Sequence, residues 1–290
     1  MRRKKLKRHE IISLISLAAA IFAAAAGTLH NKKGEAPAAL HTPVEPSARS
    51  EAKPTYTLPA DLLRHPLMAA PIEGEIKLQR EGYCTSYNTG NRQPNYVAWT
   101  LTPQRLQGNA QRRSTFYEDP ELADDVKSRL SDYSRSGYDR GHLCPAGDNK
   151  WSLTAMIESF LLSNICPQKH TLNSGDWRVL EEACSTWAAE QCDTLHIVAG
   201  PLFDREKSGW LKKRVRIPNA FFKTIVNLRP GKEKGIAFIF RNTTDDQPLQ
   251  QAACTIDEVE RLTGYDFYAE LPDALQARIE SENHLPDWTK

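Results

Sequence analysis

The chain has 290 residues, 40% of them hydrophobic and 26% charged. That balance is ordinary for a soluble globular protein, and the length suits one large domain or two small ones. The formal charge of +2 hides an asymmetry: residues 1–33 hold eight Lys or Arg and one Glu, and the rest holds 30 basic against 35 acidic residues, near −5. A generally basic surface is therefore excluded, and any phosphate binding has to come from a local patch.

In chain order, the first element is a targeting segment. Arg2, Arg3, Lys4, Lys5, Lys7 and Arg8 precede an uncharged, Ala-rich run from Ile11 to Gly27. Small residues at 23–27 offer a cleavage site. The run would span about 26 Å as a helix, at ~1.5 Å per residue, the short limit for crossing a bilayer. Residues 1–27 are thus expected to be a signal peptide or a retained N-terminal membrane anchor, and in either case the rest is exported, with the positive end left in the cytoplasm. The destination is periplasmic or extracellular, or the membrane face outside the cytoplasm. Residues 28–57, with Pro43, Pro46 and Pro54 and no apolar periodicity, are expected to be a flexible linker. A folded domain is expected over 58–290.

Within that domain, Pro94–Thr102 predicts a strand and Ser152–Leu162 a helix. Ser174–Glu190 predicts a second helix, and Leu195–Leu202 an apolar strand ended by Gly200–Pro201. Ala220–Leu228 and Ile236–Arg241 predict two strands around Pro230–Gly231, a hairpin signal. Thr255 with Glu258 three residues on has the form of a helix-opening capping box. No regular alternation of strand and helix runs through the pattern, so the fold class is α+β with a mainly antiparallel sheet flanked by helices. The six cysteines, Cys84, Cys144, Cys166, Cys184, Cys192 and Cys254, all follow the export segment, which suggests disulfides. No C-x-x-C pair exists, which argues against a zinc knuckle.

Two polar constellations carry chemistry. The first is Asp139-Arg140-Gly141-His142. An imidazole takes a proton near neutral pH, and a guanidinium grips phosphate oxygens in a fixed fork. The competing reading is a surface ion pair beside a structural His. The second places Asn173, Trp177 and Glu181 at i, i+4 and i+8, within ~80° of one helix face. An amide oxygen and a carboxylate there could serve one hard cation and its waters. The competing reading makes Trp177 a core anchor and Asn173 a helix cap.

Taken together, DRGHLCPAGD (139–148), SNICPQ (163–168) and LNSGDWRVLE (172–181) resemble the DNA/RNA non-specific endonuclease family, which includes secreted bacterial nucleases and mitochondrial endonuclease G. VAGPLF (198–203), IPNAFFKTIV (217–226) and TIDEVERLTGYDFYAELP (255–272) are also similar, so the likeness runs in order over roughly residues 75–275. It implies a ββα-metal fold and hydrolysis of DNA and RNA without strong sequence specificity, giving 5′-phosphate and 3′-hydroxyl ends. By the same resemblance His142 is the general base and Asn173 the direct ligand of Mg²⁺, for which Mn²⁺ could substitute. Glu181 holds the ion's waters, Arg140 acts on the phosphate, Asp139 lies behind the ligands and Asn164 near the site. Arg92 is similar to a substrate-binding Arg of the family. Ser185 departs from members that carry an Arg there. Cys144 and Cys166 depart from other small residues, and since the resembling fold brings their segments together, a Cys144–Cys166 disulfide is expected. It would close a loop of about 20 residues, for roughly 3 kcal/mol. Two buried free thiols are the alternative. The implied partners are the DNA and RNA substrates, with membrane contact only through an uncleaved N-terminus. Protein partners are unknown. A catalytically degenerate, exported nucleic-acid-binding protein on the same scaffold is the alternative function.

Overall fold

The computed structural model describes residues 56, 58–59, 64–190, 194–204 and 206–289. The expected targeting segment, nearly all of the expected linker, and Cys192 lie outside them. Among the described residues no helix is long and apolar enough to cross a membrane.

A seven-stranded sheet forms the frame. Its strands are β1 (Ile76–Gln79), β2 (Cys84–Asn88), β3 (Gln93–Leu101), β6 (Leu195–Leu202), β9 (Ala220–Asn227), β10 (Lys234–Arg241) and β11 (Ala253–Cys254), in the order β1-β2-β3-β6-β9-β10-β11. Every neighbouring pair is antiparallel. Two ribbons stand apart from it: β4 (Asp139–His142) with β5 (Ile165–Gln168), and β7 (Trp210–Leu211) with β8 (Val215–Arg216). The helices are α1 (Pro103–Leu106), α2 (Leu130–Tyr133), α3 (Leu153–Glu158), α4 (His170–Ser174), α5 (Asp176–Glu190), α6 (Leu249–Ala252), α7 (Ile256–Thr263) and α8 (Asp273–Glu280).

Strand alternation sorts the sheet into two buried faces. Val97, Trp99, Ile197, Phe221, Ile225 and Phe238 pack with Trp177, Leu180 and Trp187 of α5. Their neighbours Tyr96, Ala98, Val198, Phe222 and Ala237 pack with Ile256 and Val259 of α7 and Leu275 and Ile279 of α8. Both faces are covered, which is why β3 is buried along its whole length, including its polar residues Gln93, Asn95 and Thr100.

Local signals set several boundaries. Gly231 sits at φ +75° in the β9–β10 turn, where a side chain would be strained. Thr255 caps α7 by accepting from Glu258 N at 3.0 Å, and Gly264, at φ +74°, ends it in the left-handed region. Ser152 caps α3, which stops at Glu158, short of the expected Leu162. The expected helix from Ser174 is interrupted. Gly175 breaks α4 from α5, and a Cβ there would come within 2.3 Å of the Thr171 carbonyl oxygen. Asn173 and Glu181 thus stand on two helices and do not share one continuous face.

Candidate active site

The ββα unit is built around the β4–β5 ribbon. Asp139 pairs with Gln168 and His142 with Ile165. Gly141 is required by space, because a Cβ there would lie 2.1 Å from Gln168 Oε1. Immediately after β5 the chain turns into α4, which brings Asn173 back over the start of β4. That turn is pinned by buried Asn242, whose Oδ1 accepts from Lys169 N (2.8 Å) while its Nδ2 donates to the carbonyls of Pro167 and Pro218. The sequence reading missed Asn242, since nothing in its neighbourhood points to a strand 70 residues earlier.

A cleft of about 690 Å³ opens over this unit, lined by Arg112, Phe116, Arg135, Asp139, Arg140, His142, Asn173, Arg178 and Glu181 among others. The structure thus brings together five of the expected residues: Asp139, Arg140, His142, Asn173 and Glu181. His142 ends β4 with its ring between Phe116 and Phe160, at centroid distances of 5.3 and 4.8 Å. It is 8% exposed, and its Nε2 has no hydrogen-bond partner. Burial, reinforced by the nearby Arg112 charge, lowers its pKa to about 3. The imidazole is therefore neutral at neutral pH and able to accept a proton. Trp177 Nε1 donates to the His142 carbonyl at 3.2 Å, which fixes the strand end to α5. Trp177 is also a core anchor, 1% exposed.

Asn173 is no cap: it lies in the last turn of α4, and Lys169 holds the N-cap position. Its Nδ2 donates to Asp139 Oδ2 at 2.9 Å, and His170 Nδ1 lies 2.9 Å from the same oxygen. With the amide nitrogen engaged, Oδ1 is left for a cation. Glu181 lines the same cleft from α5. Burial raises its carboxyl to about 7, against the pull of Lys223. A carboxylate and an uncommitted amide oxygen lining one cleft are oxygen donors of the kind hard divalent cations take. Arg140 is exposed, stacked 4.5 Å over Phe116, and makes no ion pair among the described residues, so its donors are available to an anion.

Two expectations are corrected, and the place of Asn164 is made specific. Arg92 does not line the cleft: it sits in the β2–β3 turn at φ +53°, with Nη1 buried and unpartnered. Arg112, stacked 5.5 Å from Phe160 and close enough to act on His142, holds the cleft position instead. Its signal was the Arg112–Arg113 pair just before Phe116, with Arg112 30 residues before His142. Asn164, expected near the site, adjoins it without lining the cleft: its carbonyl accepts from Leu143 N, next to His142. It is fully buried and clamps the segment after His142: Oδ1 accepts from Cys144 N (2.9 Å) and Nδ2 donates to the carbonyls of Cys144 and Ser159. Cys144 and Cys166 are free, buried thiols. Cys166 lies opposite Gly141, three residues short of Cys144. Cys144 Sγ instead accepts from Asn149 Nδ2 at 3.3 Å. Burial raises both thiols.

A two-stranded ribbon and a helix that surround one cleft with a neutral His, an oriented Asn, a carboxylate and several Arg define a ββα nuclease site. The chain belongs to the DNA/RNA non-specific endonuclease family, whose profile matches residues 66–274. It is 35% identical over 237 residues to a nuclease of Nostoc sp., covering 76% of this chain and 84% of that one. It is 32% identical to mitochondrial nuclease 1 of Schizosaccharomyces pombe (73% and 72% covered), and 31% identical to human mitochondrial endonuclease G (65% and 68%). A solved structure of EndoG in complex with EndoGI superposes with a TM-score of 0.60 at 26% identity, covering 68% of this chain and 86% of that one. The protein is a hydrolase of the non-specific endonuclease class with a ββα-metal, α+β fold.

Proposed function

We propose that the protein hydrolyses both DNA and RNA with little regard to sequence, depends on Mg²⁺, and leaves 5′-phosphate and 3′-hydroxyl ends. The observation that carries this reading is the buried, neutral His142, whose Nε2 lacks a partner in the same cleft as Asn173, Glu181 and Arg140.

In this mechanism His142 takes a proton from water, and the resulting hydroxide attacks phosphorus in line with the departing 3′ oxygen. Asn173 Oδ1 would hold the cation directly, and Glu181 would hold its water shell. Bound Mg²⁺ would supply Lewis-acid stabilisation of charge on the phosphate and leaving oxygens. Mn²⁺ could replace it at the same oxygen donors. Arg140, stacked on Phe116, and Arg112, stacked on Phe160, grip the phosphate. Ser185, whose hydroxyl is spent on the Glu181 carbonyl, leaves α5 without a phosphate contact of its own, and Arg112 fills that need from the loop before α2. Contacts of this kind ignore base and sugar, in keeping with a substrate range spanning DNA and RNA. Export is part of the proposal: residues 1–27 act as signal peptide or anchor, 28–57 as linker, and 58–290 work outside the cytoplasm.

Digestion of plasmid DNA and of RNA, with and without Mg²⁺, tests the reading, followed by end-labelling of the products. Degradation of both substrates only with the ion is expected. Activity in excess chelator, or binding of nucleic acid without cleavage, would overturn it.

A further inference from the structure

A second carboxylate cluster lies on the sheet face opposite α5. Asp257 and Glu260 stand three residues apart on α7 and so share a side of it. Glu280 is the last residue of α8. One oxygen from each of the three carboxylates lies within 4.8 Å of the others. None of the three lines the catalytic cleft.

Glu280 is 5% exposed, and its Oε1 has no hydrogen-bond partner. Glu260 spends Oε1 on Phe267 N at 2.7 Å. No Lys or Arg among the described residues pairs with any of the three. Arg261 turns to Glu258, and Arg278 to Glu233 and Glu282. Glu280 also places its charge at a helix C-terminus, where the backbone dipole disfavours an anion. A carboxylate this deeply buried, with one oxygen unpartnered and two other carboxylates beside it, is costly unless protons or a cation neutralise it.

We propose that Asp257, Glu260 and Glu280 form a calcium site that clasps α7 to α8. The donors are all hard oxygens, which excludes a preference for softer metals. Ca²⁺ binds six to eight oxygens at 2.3–2.6 Å in flexible geometry, so it takes several carboxylates from separate helices without exact placement. Mg²⁺, at 2.0–2.1 Å in a near-ideal octahedron, keeps several waters and usually takes one or two carboxylates, so a cage of three suits it less. Waters would complete the shell on the side of Asp257, which is exposed.

Burial and mutual repulsion disfavour negative charge on the two glutamates. Burial raises Glu280 to about 8, with Glu260, Asp257 and Asp266 adding to the rise and Gln276 opposing it. Burial likewise raises Glu260 to about 7, with Asp266 and Asp257 adding and the Phe267 amide opposing.

The deciding experiment melts the metal-free full chain with and without CaCl₂ at pH 8. Asn173→Ala, Asp257→Asn and Glu280→Gln are melted beside it. At about 100-fold excess over Kd the ion should raise Tm by roughly 5 °C. That shift should persist in Asn173→Ala and be lost in Asp257→Asn and Glu280→Gln. Asp257 is on the surface, so its variant folds and decides the matter even if Glu280→Gln does not. No shift in the unsubstituted protein, a shift abolished by Asn173→Ala, or one kept in full by Asp257→Asn overturns the proposal.

Discussion

Asn173 Nδ2 donates to Asp139 Oδ2 at 2.9 Å, and this bond links the last turn of α4 to the first residue of β4. It decides which end of the Asn173 amide is left for the cleft. If the amide oxygen is the one protein atom that binds Mg²⁺ directly, removing it weakens the ion itself. Asn173→Ala should raise the Mg²⁺ concentration for half activity by at least tenfold. Asp139→Ala should act in the same direction through lost orientation, for which ~10–100-fold is typical. Glu181→Gln should follow more mildly. A Mg²⁺ titration of Asn173→Ala that overlays the parent would place the ion elsewhere.

His142→Ala should leave the Mg²⁺ midpoint in place and cut turnover by ~10²–10⁴-fold, the usual cost of losing a general base. The ring also fills space between Phe116 and Phe160, so a melt run in parallel must show that the variant is folded. Turnover near that of the parent in a folded variant rules His142 out as the base.

The proposed phosphate grip would come from a local cluster on a domain with no general basic character. Arg112 and Arg140 face the cleft, whereas Arg178 is occupied by Glu182. Cleavage of a short duplex below saturation should therefore fall as salt rises, because each phosphate contact releases counterions. Arg112→Ala should lower the magnitude of that log–log slope by about 1, while Arg92→Ala should leave it unchanged. A slope insensitive to Arg112 would move the contact to another side chain.

Asn164 acts at one remove, by holding the segment that follows the base. Asn164→Ala strips a buried N–H and two carbonyls of their partners at once. Each orphaned group costs ~1–3 kcal/mol, so denaturant unfolding should show a loss of at least about 2 kcal/mol. Loss below ~0.5 kcal/mol would mean that water or a local shift takes over the clamp.

What the sequence made legible was local or carried by spacing. The Pro230–Gly231 turn, the Thr255 cap and the apolar run of β6 depend on neighbours a few residues away, and each forms where expected. The DRGH strand and the following Asn and Glu were legible because their order and spacing are peculiar to one family. The misses all depend on space. Helical spacing carried Asn173 and Glu181 onto one face, but the approach of Gly175 to the Thr171 carbonyl breaks that helix. Choosing Arg112 over Arg92 needs the position of Phe116 against His142. Cys144 and Cys166 lie on adjoining segments, yet their pairing is decided by strand register and side-chain direction, which spacing does not reveal.

Acid stability offers a test far from the chemistry. His196, on β6, is 1% exposed, and neither ring nitrogen has a hydrogen-bond partner. Burial lowers its pKa to about 4, against ~6.5 in the unfolded chain. Between these values the unfolded state binds the extra proton, so stability rises with pH across this window. The contribution is fully present above about 6.5 and lost as pH falls towards 4. The shift is worth roughly 3 kcal/mol as an upper bound, at about 1.4 kcal/mol per unit. His142, lowered to about 3, adds a loss in the same direction that extends further into acid. His196→Leu keeps a side chain of similar bulk and removes the titration. Carboxylates contribute equally to parent and variant, so the difference between their melting curves isolates His196. The parent's Tm should drop more steeply than the variant's from pH 6.5 to 4, and the two should run parallel from pH 7 to 8. Parallel curves over the whole range would mean that His196 reaches water or a partner when protonated.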